Sequence, residues 1–434
     1  DVEYRPITDG LEKQDSLRHE LLCLSLREVA DPHGKASWAA ITANLITAGL
    51  GTGILSLPWA LAGSSLLVGV AMTILVMALN AATTMILVLA AEKFQAFDLG
   101  SLLANIPGTA GRFAQAFCNA LTWASVFLCL VGYIVVMTDS LHDMVIVHLG
   151  LDITGQAAWL VRTLMLYVSA AIALPLCFLD QRRLSFSSGL GISVNVYMFL
   201  LVSALWFFSE REEQCCLLGK GSGVISMFST LMQCAIVQMC VPPMYEELED
   251  RSPERFGSAV VVAFGFLCVL FAAFAAVAYL AFGPSVQSNV IMDFPNNAFG
   301  NIARLGMALT VLAVYPIVMT SMVAPVRHWE ERQGFGTRTR SNTVIACIVL
   351  LSAVGGMYAT ELGTLQTMNG AMQVSAFVAI GPGLAGLYLL GGRGCMWRAG
   401  MYTLLAGGLV ASAVGLHFNS NEVKELNAHC IWRL

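Results

Sequence analysis

Residues 44–60, NLITAGLGTGILSLPWA, form an apolar run that is interrupted near its middle. Gly49, Gly51 and Gly53 alternate with larger residues, and Pro58 follows. Glycine and proline both weaken a helix, so some backbone N–H and C=O groups are left without helical partners. In a bilayer such groups are tolerated only where they line a cavity or bind a ligand. The stretch predicts a broken membrane span with a binding site at the break; close helix packing is the alternative explanation of the glycines.

The composition of the whole chain is that of a polytopic membrane protein. Of its 434 residues, 57% are hydrophobic and 12% are charged, whereas about 25% of the residues of a soluble domain are charged. Apolar runs long enough to cross a hydrocarbon core of about 30 Å recur along the chain. They predict about eleven spans, at residues 38–62, 65–91, 113–138, 158–180, 185–209, 221–243, 257–282, 299–326, 341–360, 362–391 and 400–417. The net charge of −5 gives no reason to expect nucleic acid as a partner.

The distribution of Lys and Arg orients the predicted spans. With the N-terminus in the cytoplasm, 17 of these residues fall on the cytoplasmic side and four on the opposite side. Because basic residues concentrate in cytoplasmic loops, we expect a cytoplasmic N-terminus. Residues 1–36 then form a disordered cytoplasmic tail, residues 37–417 the membrane domain, and residues 418–434 an extracytoplasmic tail. Cys215, Cys216 and Cys430 fall on the opposite side, and the sequence leaves open whether a disulfide joins any two of them.

Span 6 is the second span with an irregular centre. Gln233 and Gln238 lie within it, and Pro242 and Pro243 stand at its end. Interrupted helices at corresponding positions of two halves are typical of inverted-repeat membrane proteins with a ligand site near the middle of the bilayer. The five-span interval between the two interruptions therefore predicts an all-α membrane fold with a five-plus-five inverted repeat.

Three ordered motifs resemble those of the amino acid/auxin permease family. Asn44–Ala60 matches its first-helix signature N-x(6)-G-x-G-I-L-x-L-P-x-A, and Val241–Leu248 matches V-x-P-x-Y-x-E-L at the end of span 6. The third match is spread over Gly283, Asn289–Ile291, Phe294–Pro295, Arg304–Leu305 and Tyr315–Pro316. Within the family, the first two motifs are most similar to the sodium-coupled neutral amino acid transporter branch. Tyr315–Pro316 is more similar to the proton-coupled and vacuolar branches.

The resemblance implies a leucine-transporter-like fold of the APC superfamily, with discontinuous helices 1 and 6. It implies secondary active transport of a neutral amino acid by alternating access, in a plasma, vacuolar or lysosomal membrane. The functional unit is expected to be a monomer that needs no cofactor. An amino-acid sensor that signals through its cytoplasmic tail is the alternative, and measured flux separates the two. An enzyme is not expected, because the seven histidines lie outside the spans or at their ends.

The predicted substrate site lies at the two interruptions. The amides of Thr52 and Gly53, at the positive end of a half-helix, suit a carboxylate. Span 6 between Gln233 and Gln238 would supply carbonyl groups for the ammonium group, and Tyr133 of span 3 would close the pocket. The predicted substrate-binding residues are therefore Gly51, Thr52, Gly53, Tyr133, Gln233 and Gln238. The alternative role of the two glutamines is to form interhelical hydrogen bonds. The alternative for Tyr133 is a position at the interface between membrane and water.

The coupling ion is predicted to be H⁺ or Na⁺. By resemblance, a sodium ion would be bound near Thr47, Leu50 and Thr310. The sodium-coupled branch has asparagine at the position of Thr47 and threonines at those of Leu312 and Val314. Because Na⁺ needs oxygen ligands, this smaller set of oxygens favours proton coupling or uncoupled exchange. A proton carrier deep in the membrane is also missing, because Asp139, His142, Glu246 and Glu247 all lie near the predicted membrane faces.

Overall fold

The computed structural model describes residues 36–149, 156–178, 187–208, 215–219, 221–332, 339–417 and 430–433. Within these ranges, nine helices are long and apolar enough to cross a membrane, and the bent pair Trp38–Gly49 and Thr52–Ser64 makes a tenth span. The shorter helices Gly223–Ala235 and Val241–Glu247 form span 6, which brings the number to the predicted eleven. The tail predicted at residues 1–36 lies outside the described residues except for Ala36.

The remaining spans are single helices or nearly so. Spans 2 to 5 are Leu66–Phe94, Thr109–Leu149, Gln156–Leu176 and Ser187–Phe208, and spans 7 to 9 are Pro253–Phe282, Ala298–Arg332 and Thr339–Tyr358. Span 10 runs over Leu362–Leu389 and contains the π-helical segments Val374–Ile380 and Ala385–Leu389; span 11 is Cys395–His417. Odd-numbered spans begin on the side where span 1 begins, which we call the N-terminal side, and even-numbered spans begin on the opposite side.

Span 1 is broken at Leu50 and Gly51, between span 1a (Trp38–Gly49) and span 1b (Thr52–Ser64). The Ser37 hydroxyl caps span 1a by accepting a hydrogen bond from the Ala40 amide. Gly51 is extended (φ −100°, ψ −171°), and the chain resumes at Thr52 with a turn of 3₁₀-helix. The two halves are bent by 44°. The interruption predicted from the glycines is therefore confirmed.

Span 6 is broken between span 6a (Gly223–Ala235) and span 6b (Val241–Glu247). Ile236 ends span 6a in an extended conformation (φ −74°, ψ 112°). Pro242 and Pro243 fall in the first turn of span 6b, where proline loses no helical hydrogen bond because the first N–H groups of a helix have no partner. Both discontinuous helices of the predicted fold are present.

The packing of the spans follows the predicted five-plus-five arrangement. Spans that are five apart pack against each other: span 1b on span 6a, span 2 on span 7, and span 3 on span 8. Both halves of span 1 also pack on span 7, and both halves of span 6 pack on span 2. Replacing each span by the one five places away converts this set of contacts into itself, as two related halves require.

Buried apolar side chains form two separate clusters. The larger cluster draws mainly on spans 1, 2, 6 and 7, with Ile41 and Phe271 among its fully buried members. The smaller cluster comes from spans 3, 4, 8 and 9, and includes Leu166 and Ile345. Tyr133 of span 3 packs against both clusters. Spans 3 and 8 contribute residues to both clusters, so the protein has two packed bodies that meet along these two spans.

The opposite side carries a covalent link between distant parts of the chain. Strand β1 (Cys216–Gly219) precedes span 6 and pairs antiparallel with strand β2 (Cys430–Arg433) near the C-terminus. A disulfide joins Cys216 to Cys430 across the pair, which resolves the choice among the three cysteines. Cys215 is buried and takes no part in the disulfide, and its Sγ lies 3.4 Å from the carbonyl oxygen of Tyr279.

Candidate functional site

A cavity of about 280 Å³ lies at the breaks of spans 1 and 6. Its walls come from spans 1, 3, 5, 6, 8 and 10, so it lies between the two packed bodies. Eight of the nine residues predicted for the substrate and ion sites line it: Thr47, Leu50, Gly51, Thr52, Gly53, Tyr133, Gln233 and Thr310. The cavity therefore brings together residues that are as far apart in the sequence as Thr47 and Thr310.

The broken helices place backbone dipoles of opposite sign at the cavity. Span 1b begins at Thr52, and the first N–H groups of a helix have no partner within it. Spans 1a and 6a end at Gly49 and Ala235, where the last carbonyl groups are likewise without helical partners. The positive end of one half-helix and the negative ends of two others thus border the same space, which suits a ligand with separated negative and positive charges.

Gly51 and Gly53 both line the cavity but have different surroundings. A Cβ atom on Gly51 would meet no other atom within 4 Å, whereas one on Gly53 would lie 2.5 Å from the Cys234 Sγ. Gly53 is therefore required for the close approach of span 1b to span 6a. Close helix packing therefore explains Gly53, whereas Gly51 leaves open space at the break and is not explained by packing.

Gln238 does not line the cavity, and its contacts are the interhelical hydrogen bonds that the sequence left open as the alternative. Its side chain is fully buried. The Nε2 atom donates hydrogen bonds to the Asn80 Oδ1 at 2.8 Å and the Thr83 Oγ1 at 2.9 Å, and the Oε1 accepts one from the Val237 amide. The chain on either side of Gln238 still lines the cavity, at Val237 and Met239, so only the Gln238 side chain points away from it, toward span 2. Gln238 holds the broken part of span 6 against span 2.

The two threonines of the predicted ion site lie on the cavity wall, and both hydroxyl groups donate hydrogen bonds to backbone carbonyl groups of their own helices. Thr47 donates to the Ala43 carbonyl and Thr310 to the Gly306 carbonyl, each at 2.9 Å. A hydroxyl oxygen that donates can still accept or coordinate a cation through its lone pairs. Val314 also lines the cavity, whereas Leu312 packs against the apolar clusters.

The cavity wall is uncharged. None of the described residues that line it is acidic or basic. An unpaired charge at the middle of a membrane is costly, so this wall excludes ligands with a net charge unless the backbone ends neutralise them. A zwitterion with an uncharged side chain satisfies this condition.

Comparison with known proteins assigns the chain to a family. Residues 34–417 match the family model described as transmembrane amino acid transporter protein. The chain belongs to this family. As the sequence predicted, this is a family of amino acid transporters that cross the membrane many times and not a family of enzymes.

The relatives of the transporter are distant in sequence. It is 24% identical to amino acid transporter AVT6E of Arabidopsis thaliana, over 67% of its own length and 64% of that protein. It is 22% identical to AVT1J of the same plant, over 90% and 91% of the two chains. It is 22% identical to a putative sodium-coupled neutral amino acid transporter 10 of Xenopus laevis, over 80% of its own length but 34% of that protein. A solved structure, MhsT with L-phenylalanine, is similar at a TM-score of 0.46 and 13% identity, over 87% and 97% of the chains.

The cavity of the transporter extends toward the N-terminal side. Gly191 and Asn195, which line it, belong to the first turns of span 5, and span 5 begins on that side. On the opposite side, the turn Val290–Asp293 packs against the start of span 1b. The adjoining Asn289 Nδ2 donates a hydrogen bond to the Asp139 Oδ2 of span 3 at 3.0 Å. The predicted position of Asp139 near the outer end of span 3 thus coincides with a contact between span 3 and the segment that precedes span 8.

The site contains polar residues that the sequence analysis did not select. Ser125 and Cys129 of span 3 and Gln373 of span 10 line the cavity, and Asn369 lies next to them. The signal was present: Gln366, Asn369 and Gln373 recur at the i, i+3, i+7 spacing of one helical face. A polar stripe on a helix this apolar marks the face that points away from lipid.

Proposed function

We propose that the transporter carries neutral amino acids by alternating access, and that the cavity is its central substrate site. The observation that carries the proposal is an uncharged cavity bordered by both broken helices. The α-carboxylate would bind the first N–H groups of span 1b at Thr52 and Gly53. The α-ammonium would bind the terminal carbonyl groups of spans 1a and 6a. Tyr133 and Gln233 would form the cavity wall beyond these two charged groups.

Two packed bodies with the cavity between them support the mechanism. Each body has its own apolar cluster, so each can move as a unit while the contacts across the boundary change. On the opposite side, the hydrogen bond between Asn289 and Asp139 joins span 3 to the segment before span 8. In this proposal that contact closes the opposite side, so the described structure is the state open to the N-terminal side, and the reverse state would separate Asn289 from Asp139.

The orientation of the transporter is part of the proposal. The distribution of basic residues places the N-terminal side in the cytoplasm. The Cys216–Cys430 disulfide lies on the opposite side, and disulfides persist in extracellular and lumenal compartments rather than in the cytosol. Both features fit a plasma membrane or a vacuolar or lysosomal membrane. One chain forms the entire cavity, so a monomer would suffice.

Ion coupling is the finer part of the proposal. Thr47, Leu50 and Thr310 line one cavity and could surround a cation beside the substrate. Of the relatives, the Xenopus laevis protein is named as sodium-coupled. We propose that the cotransported ion is a proton rather than sodium, because only two side-chain hydroxyls and an aliphatic residue form this part of the wall.

Uptake into proteoliposomes tests the proposal. The purified chain would be given radiolabelled neutral, acidic and basic amino acids, with sodium and pH gradients imposed separately. We expect saturable uptake of neutral amino acids, and binding of the same amino acids to the detergent-solubilised chain. Binding without flux would support a sensor instead, and the absence of both would contradict the proposal.

A further inference from the structure

Uncharged polar side chains from spans 3, 6 and 10 form a cluster at one wall of the cavity. We call it the amide cluster; its members are Ser125, Cys129, Gln233, Asn369 and Gln373. The Gln373 Nε2 donates a hydrogen bond to the Ser125 hydroxyl. The Gln233 Nε2 and the Asn369 Nδ2 both contact the Cys129 Sγ, at 3.6 and 3.5 Å. The three side-chain amides are therefore all held by span 3.

Each of these amides has one end without a partner. The Gln233 Oε1, Asn369 Oδ1 and Gln373 Oε1 are buried and accept no hydrogen bond from the described residues. Asn369 and Gln373 are buried as whole side chains, with 2% and 5% of their surface exposed. A buried polar group without a partner costs free energy. Three such groups in one contacting set indicate that a ligand completes their hydrogen bonds.

The position of the cluster suits a substrate side chain. Gln233 and Gln373 line the same cavity as the amides of Thr52 and Gly53. Span 10 is held firmly there, because Gly370 packs on the backbone of span 6a and a Cβ on it would lie 1.8 Å from the Ser229 carbonyl oxygen. Directly after Gln373 the helix changes to a π-helical segment, Val374–Ile380, a feature that is frequent at functional sites.

We propose that the amide cluster binds the side chain of the substrate, and that the transporter therefore prefers amino acids with an uncharged amide or hydroxyl side chain. This inference rests on the proposed function. Amide and hydroxyl groups both donate and accept hydrogen bonds. They satisfy the free end of Gln233 or Gln373 whichever way its amide group is turned. An apolar side chain of the same size leaves these ends unpaired.

The native chain provides the first test. Glutamine and methionine have side chains of similar length, and only glutamine can pair with the cluster. Uptake of both into proteoliposomes would be compared as kcat/KM at fixed pH and salt. We expect a preference for glutamine of at least about tenfold, equivalent to one or two net hydrogen bonds. Equal or better uptake of methionine would overturn the inference.

Two variants of the same type test the residues. Gln373→Met removes the free amide from the cavity, whereas Gln366→Met changes a buried glutamine of the same helix that is not among the described cavity-lining residues. We expect the glutamine-to-methionine ratio to fall about tenfold in the first variant and to stay at the native value in the second. A proportional loss of both substrates in Gln373→Met would contradict the inference, as would an equal change of the ratio in Gln366→Met.

A variant at a second position keeps the inference testable if Gln373→Met does not fold. Ser125→Ala removes the hydroxyl that holds Gln373 with little change in volume, and we expect it to lower the same ratio. An unchanged ratio in folded Ser125→Ala and Gln373→Met protein would count against the cluster. Failure of the two proposals is distinguishable: absence of any amino acid uptake by the native chain contradicts the proposed function. Uptake without preference contradicts only the amide cluster.

Discussion

At the scale of single residues, Gly51 and Gly53 show how similar positions can have different functions. Gly53→Ala is expected to destabilise the fold by about 1–3 kcal/mol, because its Cβ would collide with the Cys234 Sγ. Gly51→Ala meets no neighbouring atom; it should leave stability unchanged and raise KM by narrowing the space next to the break. Thermal unfolding in detergent and uptake kinetics measure the two effects.

The double variant Gly53→Ala with Cys234→Ala serves as the control for this pair. Without the sulfur, the new Cβ would be 3.5 Å from the nearest atom of residue 234, its Cα, so stability should return toward the value of Cys234→Ala alone. If Gly53→Ala is as stable as the native chain, the close packing of spans 1b and 6a is not what requires this glycine.

Gln238 provides a second residue-scale prediction. Replacing it by Met removes the hydrogen bonds to Asn80 and Thr83 and leaves those buried groups without a donor. We expect a loss of about 1–3 kcal/mol in the free energy of unfolding, with an unchanged KM in the fraction that remains folded. A raised KM in Gln238→Met at native stability would restore this residue to the substrate site.

Eight of the nine residues predicted from the sequence line the cavity, but the sequence could not give the direction of every side chain. The glycines and prolines marked both breaks, because only those residues have such strong local effects on a helix. Gln238 was misplaced because it lies after the end of span 6a at Ala235, where helical periodicity no longer determines direction. Asn369 and Gln373 were missed because the apolar residues around them dominate the hydropathy of span 10.

At the scale of elements, the start of span 9 depends on a residue of span 8. The Glu330 carboxylate accepts hydrogen bonds from the Ser341 hydroxyl, from the Arg340 amide at 2.7 Å and from the Ser341 amide. It thereby acts as the cap of span 9 from another helix. Glu330 lies in the polar end of span 8, beyond the membrane-spanning part Ala298–Val323, and the Ser341 hydroxyl, together with these amides, lowers the pKa of Glu330 below its ordinary value.

This cap predicts a pH-dependent stability. A carboxyl group with a lowered pKa stabilises the fold fully above its ordinary pKa of about 4.3, and the effect is lost as the pH falls through the lowered value. Glu330→Gln should therefore lower the melting temperature at pH 7, and the difference from the native chain should shrink on acidification below that value. Glu254→Gln, which changes an exposed carboxylate in the first turn of span 7, is the matched control. A difference that persists unchanged in acid would contradict the role of the carboxylate.

At the scale of the whole molecule, the identity of the coupling ion decides whether a proton gradient or a sodium gradient drives transport. If Val314 and Leu312 stand where a sodium site needs oxygen ligands, replacing external sodium by choline should change uptake little. An inward proton gradient should stimulate uptake, and Asp139→Asn should weaken that stimulation, because Asp139 is the carboxylate at the contact between span 3 and Asn289. Initial rates of uptake at fixed substrate concentration measure each effect. Uptake that rises saturably with sodium at fixed pH, and that is lost in Thr310→Ala, would show that sodium is the ion.

The disulfide joins residues 216 and 430, which are 214 positions apart and enclose spans 6 to 11. Because β2 follows span 11, the two thiols can meet only when the six enclosed spans return the chain to the side of the membrane on which β1 lies. The bond therefore excludes every topology in which an odd number of these spans fails to cross. A protease cut at any loop within the enclosed region would leave two fragments that separate on a gel only after reduction. The fraction of chains that behave in this way would measure how many molecules have brought both ends of this region to the same side.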